Sequence, residues 1–157
     1  ADRELRDAIR HDPALASAEA ELGSVLAEQG KLDEAIECLR RALRIDPKLG
    51  HAQYNLGTLL AQTGQLQESI TTFEAAIKKM PPDSDLHNNL GMVLFQAGNT
   101  DRALQEFERA IGIESKNANA YFNLGRLFAS RGEEVKAIEQ YRIAARLDSR
   151  YASLFSK

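Results

Sequence analysis

Apolar and polar positions along this chain recur at a fixed step. The stretch YNLGTLL at residues 54–60 returns as NNLGMVL at 88–94 and FNLGRLF at 122–128, with a weaker copy, AELGSVL, at 20–26. Gly23, Gly57, Gly91 and Gly125 lie 34 residues apart, and so do Gly30, Gly64, Gly98 and Gly132. A period of this size is the signature of a repeat array and outranks local readings. Placing the first glycine series at the eighth position gives units 16–49, 50–83, 84–117 and 118–151. Leu22, Leu56, Leu90 and Leu124 precede that glycine, and Leu26, Leu60, Leu94 and Phe128 follow it by three. These spacings put an apolar stripe on one face of a first helix. The glycine between them lets a partner helix approach.

The Gly30 series falls at the end of that helix, where glycine takes the left-handed conformation that closes it. A second helix follows. Its small residues are Ala35, Ser69, Ala103 and Ala137, then Ala42, Ala76, Ala110 and Ala144, with Leu39, Phe73, Phe107 and Tyr141 between them. Small at the crossing and large beside it suits tight antiparallel packing. Pro47 and Pro81 stop the second helix in the first two units. Ser115 and Ser149 take that place in the last two, a weaker break. In register, Ala1, Leu5, Ala8 and Pro13 match the second helix of an earlier unit, and residues 152–157 read as the start of a further helix. The expectation is one all-α domain over 1–157, with nine main helices and a short tenth piece. Segment 1–15 is then the second helix of a truncated repeat. Leu5, Ile9, Leu154 and Phe155 leave apolar faces at the ends, through which copies would pair.

Composition narrows the partners. Net charge is −3, which favours neither nucleic acid nor an anionic membrane. No apolar run approaches the ~18 residues of a membrane span, so membrane insertion is not expected. A single cysteine, Cys38, excludes an internal disulfide and is compatible with a reducing, cytoplasmic location. The chain opens on Ala1 without methionine or a signal-like segment, and reads as excised from something longer.

Candidate chemistry is sparse. His11, His51 and His87 have no metal-ligand spacing with one another or with Cys38. His11 suits the end of a helix, where a cation is favoured. No nucleophile has a base and an orienting partner beside it, so neither an enzyme nor a cofactor is expected. Arg40, Arg41, Arg44, Arg142, Arg146 and Arg150 fall on second helices and read as a solvated face. Glu37 stands four residues before Arg41, the favourable order for a helix ion pair.

The order leucine–glycine, a large residue, alanine, an aromatic, alanine and proline resembles the tetratricopeptide repeat family along the whole chain. The fourth position departs from the family's tryptophan-like residue, with Glu19, Gln53, His87 and Tyr121. The resemblance implies a right-handed α-α superhelix whose first helices line a concave groove. It implies that positions two, five, six, nine, twelve and thirteen of each unit face that groove. Those positions include Asn119 at two, then Tyr54, Asn88 and Phe122 at five, and Asn55, Asn89 and Asn123 at six. Position nine adds Ser24, Thr58, Met92 and Arg126, and position twelve adds Phe95.

Three asparagines at one helical register need a reason, since each costs roughly half a kcal/mol or more against alanine. A side-chain amide both donates and accepts, and so pairs with any peptide backbone. The row resembles the asparagine ladder in the repeat region of O-linked N-acetylglucosamine transferases. The bland reading is that these amides bond to water or to a neighbouring helix. The family's two-carboxylate clamp for chaperone tails needs basic residues where this chain has Ala20, Asp85 and Asn89, or Tyr54, Asn119 and Asn123. That partner is not expected. The expected function is a scaffold that binds a peptide or helix of a partner protein in the groove. The alternatives are the substrate-recruiting part of a larger enzyme such as a glycosyltransferase, a self-assembling scaffold, and a designed array.

Overall fold

The computed structural model describes residues 13–155. The chain falls into two compact units, Ala1–Met80 and Pro81–Lys157. In the first unit, α1 (Pro13–Glu28) and α2 (Leu32–Ile45) form one antiparallel pair, and α3 (Gly50–Gln62) and α4 (Leu66–Lys79) form the next. The second unit repeats the plan with α5 (Ser84–Gln96), α6 (Thr100–Ile113), α7 (Ala118–Ser130) and α8 (Glu134–Leu147). A 3-10 helix, Ser149–Phe155, follows α8. Among the described residues there is no strand, and the fold is all-α. The expected helix over 1–15 and the roles given to Leu5, Ile9 and His11 lie outside the described residues, as do the side chains of Leu154 and Phe155. Residues 152–155 belong to the 3-10 helix, where the repeat predicts a further α-helix.

Glycine sets both the ends and the spacing of the helices. Gly30, Gly64, Gly98 and Gly132 have φ of 76°, 80°, 82° and 75°. Each is followed by a residue whose N–H reaches back five positions, as Lys31 does to Leu26 O at 2.9 Å and Asn99 to Leu94 O at 2.8 Å. The glycine N–H bonds three back, as Gly30 does to Ala27 O at 2.9 Å. This Schellman pattern satisfies carbonyls that a helix end otherwise leaves open.

The other glycine series acts through missing atoms. A Cβ built on Gly57, Gly91 or Gly125 would lie 2.9, 2.7 or 2.6 Å from Phe73, Phe107 or Tyr141. The expected close approach is therefore present, and the large residue of the second helix fills it. Ala35, Ala42, Ala76, Ala103, Ala110 and Ala144 are fully buried beside it. Ser69 replaces one alanine and donates its hydroxyl to Gly57 O at 2.6 Å, so its buried oxygen has a partner.

The second helices stop at one register with or without proline. Their cap residues Asp46, Met80, Glu114 and Asp148 are all extended. Met80 precedes Pro81, which disfavours helix at that residue. In the last repeat Ser149 stands where the first has a proline. There Asp148 Oδ1 accepts from Arg150 N at 2.8 Å, a turn the aspartate supplies itself.

Two readings of charge need correction. Arg41 does not pair with Glu37. It forks onto Glu19 of α1, with Nε at 3.1 Å and Nη2 at 2.9 Å, while Glu37 takes Arg40 at 2.9 Å. Glu19 is the less exposed carboxylate, 22% against 55%, and so gives the stronger charge-assisted contact. Arg150 lies on the 3-10 helix, past the end of α8.

Candidate peptide-binding faces of the first helices

Three of the departures at position four are held by hydrogen bonds instead of by aromatic packing. Glu19 is tied to Arg41 as described. Gln53 is buried and donates Nε2 to Pro47 O at 2.9 Å, leaving its own Oε1 buried without a partner. His87 Nδ1 lies 2.6 Å from Glu106 Oε2, and Glu106 Oε1 accepts from Arg109 at 2.7 Å. Polar contacts from the second helix or the preceding turn therefore fix how each of these first helices is rotated.

In the first unit, Tyr54 and Asn55 lie on α3 and are half-buried. Tyr54 meets the edge of Phe73, with ring centroids 6.3 Å apart. Asn55 Nδ2 donates across to Ser24 Oγ of α1 at 3.0 Å. The Ser24 hydroxyl in turn donates to Ala20 O at 3.1 Å, and Thr58 Oγ1 donates to Tyr54 O at 3.0 Å. Both hydroxyl protons are thus committed within their own helices.

In the second unit, the start of α7 is anchored to α5. Asn117 caps α7 by accepting from Ala120 N at 2.9 Å. Its Nδ2 reaches Ser84 Oγ at 2.7 Å and Asp85 Oδ1 at 3.1 Å on α5. This registers the two first helices and brings Asn123 Nδ2 to Asn88 Oδ1 at 2.9 Å. Asn88 Nδ2 sits 3.4 Å from Asn89 Oδ1. Asn88 and Asn123 are both buried, so they join the two helices, while Asn89 is half-buried beside them.

The remaining candidates of this unit form a second cluster. Phe122 stacks on Tyr151 at 4.6 Å between centroids, and Tyr151 Oη donates to Asn119 Oδ1. Arg126 is exposed, with its guanidinium 6.0 Å from the Phe95 ring centroid, and Met92 is half-buried. Phe95 is also half-buried, so neither Met92 nor Phe95 is wholly given over to the core.

The Cys38 thiol is pushed up by burial, against the lowering effect of Arg41, whose Nη2 lies 3.0 Å from the sulfur. Among the described residues no group of three or more His, Cys, Asp or Glu side chains could hold a metal ion. Among them too, no helix is long and apolar enough to cross a membrane. Ala27 and Glu28, at positions twelve and thirteen of the first unit, border a cavity beside Asn55, and so do Leu39 and Leu59, which the repeat pattern does not place on the groove. The signal available is the small size of Ser24 and Ala27 where a later repeat has Met92 and Phe95.

No curated protein matches the chain. Among solved structures, a crystal structure of MamA superposes with a TM-score of 0.81 at 25% identity, over 90% of this chain and 83% of that one. YrrB, described as a TPR protein with an unusual peptide-binding site, gives 0.71 at 24% identity over 83% and 68%. The pilF protein of Pseudomonas aeruginosa gives 0.77 at 21% identity over 87% and 62%. A family model for the TPR repeat matches residues 23–64, and one for the tetratricopeptide repeat matches residues 54–118 and 88–152. With the double glycine series, the buried alanines and the helix pairs in register, these matches make the chain a member of the tetratricopeptide repeat family.

Proposed function

We propose that the chain is a protein-interaction scaffold that holds a peptide or helix of a partner on the faces of its first helices. The observation that carries this is the surface chemistry of α3, α5 and α7. Half-buried Tyr54, Met92 and Phe122 share these helices with the half-buried amides Asn55 and Asn89, and Asn55 is set in place by its bond to Ser24 of α1. Apolar anchors fixed in place, with amides able to meet a peptide backbone, bind an extended chain at low ordering cost. The peptide-binding site described for YrrB supports the same use of this fold.

The test is capture of partners from source-cell extract by the full chain, by an Asn55→Ala, Asn89→Ala, Arg126→Ala variant, and by an Arg142→Ala, Arg146→Ala control on α8. All three must match in helicity by circular dichroism. Partners lost only with the first variant support binding on the first helices. Partners lost only with the α8 control contradict it.

A second reading has its own observation. Val135 of α8 is 82% exposed and Ile138 is 44% exposed. These apolar residues support pairing between copies of the chain through α8. Mass that rises with concentration, and falls back with Val135→Asp, is the expected result on that reading.

A further inference from the structure

The first-unit cavity between α1 and α3 has a volume of about 320 Å³. Its lining is small or apolar for the most part, from Gly23, Ser24, Ala27, Leu39, Thr58 and Leu59. Because the Ser24 and Thr58 hydroxyls donate within their own helices, they add little demand for a polar ligand. Asn55 and Glu28 complete the lining. Asn55 gives Nδ2 to Ser24, and its Oδ1 has no protein partner among the described residues. Glu28 is exposed, is the only ionised side chain in the lining, and has no ion-pair partner among the described residues.

The third repeat is built differently at the same register. Ser24 corresponds to Met92 and Ala27 to Phe95, two half-buried side chains that occupy this register in the second unit. Glu28 corresponds to Gln96, and Thr58 to Arg126, whose guanidinium lies over the Phe95 ring. Since the backbone plan is shared, the cavity depends on side chains of the first two repeats, Ser24, Ala27 and Thr58 among them.

We propose that this cavity is a specificity pocket for a peptide segment that carries an aliphatic side chain next to a lysine or arginine. The apolar lining takes the aliphatic side chain, which gains by leaving water. Asn55 Oδ1 accepts a backbone N–H of the same segment. Glu28 attracts the neighbouring cation and repels a carboxylate, so the pocket selects against acidic ligands. The proposal rests on the reading of the first helices as a ligand-binding face.

The experiment is an NMR titration of the full chain, following backbone amides. The probes are the peptide acetyl-Ser-Gly-Leu-Lys-Ser-Gly-amide, its Leu→Ala form and its Lys→Glu form. The expected shifts fall at Gly23, Ser24, Ala27 and Thr58. Binding weakens about tenfold for the alanine peptide, the usual cost of a lost apolar contact in a pocket. Ser24→Met with Ala27→Phe abolishes the preference for leucine. Glu28→Lys, an exposed change that does not threaten folding, reverses the preference between the lysine and glutamate peptides. Equal binding of the three peptides, or a lysine preference that survives Glu28→Lys, overturns the proposal. Shifts confined to α5 and α7 overturn the pocket while leaving the wider function standing. Shifts on no first helix with any peptide count against both.

Discussion

The two units share a backbone plan and differ in what their first helices present. In the first, small residues Ser24, Ala27 and Thr58 leave a cavity bordered by a lone carboxylate, Glu28. In the second, Met92 and Phe95 stand at the matching places, Arg126 lies over the Phe95 ring, and Asn88 and Asn123 are bonded across helices. Position four differs as well. The first unit has Gln53 with an unpartnered buried oxygen, and the second has His87 in a chain with Glu106 and Arg109. Glycine and alanine fix the helix pairs and are nearly invariant across the repeats. The positions between them differ from repeat to repeat.

The largest expected effect is on the shared framework and should be similar in both units. Phe107→Ala removes a fully buried ring and should cost about 3–5 kcal/mol, and Leu39→Ala about 2–5 kcal/mol. Urea unfolding followed by circular dichroism reads both. A loss below about 1 kcal/mol at either site would break the claim of a common core. Next comes Gly91→Ala, whose new Cβ would sit 2.7 Å from Phe107, for about 1–3 kcal/mol.

The third test separates the units at position four. Glu106→Ala leaves the buried His87 nitrogen without its partner and should cost about 1–3 kcal/mol. Gln53→Leu removes a buried oxygen that has no partner, together with one hydrogen bond, and should be within about 1 kcal/mol of neutral. Equal losses would erase the contrast.

The smallest effect is at the chain's 3-10 turn. The Arg150 side chain hydrogen-bonds the Asp148 carboxyl, with the Arg150 backbone N–H adding to it, and holds its pKa below the usual aspartate value. A carboxyl held low in the folded state adds stability above its unfolded pKa, and that stability is lost as pH falls through the folded value. An NMR titration should place the Asp148 midpoint below that of an ordinary aspartate. Arg150→Gln should move it upward.

Much of the fold is legible in the sequence because its causes are local. Left-handed glycines, glycine–aromatic contacts and alanine crossings each depend on residues a few turns apart. What escapes the sequence depends on partners farther away. Arg41 has Glu37 on its own helix, yet the better-placed carboxylate is Glu19, 22 residues earlier. Asn123 sits at a groove register, and its amide meets Asn88, 35 residues away. Ser115 and Ser149, standing where earlier repeats have proline, read as weak stops, but the residues before them are as extended as the residue before Pro47. The cavity beside Asn55 is defined by what Ser24 and Ala27 lack; their small size is visible against Met92 and Phe95, but Leu39 and Leu59 join the lining only once the helices are placed.

The most direct test of the account is photo-crosslinking in source cells. A photoreactive phenylalanine would stand at position 58 on α3, position 126 on α7 or position 142 on α8. The account predicts adducts to partner protein from positions 58 and 126, and none from position 142. Adducts from position 142 alone would contradict it.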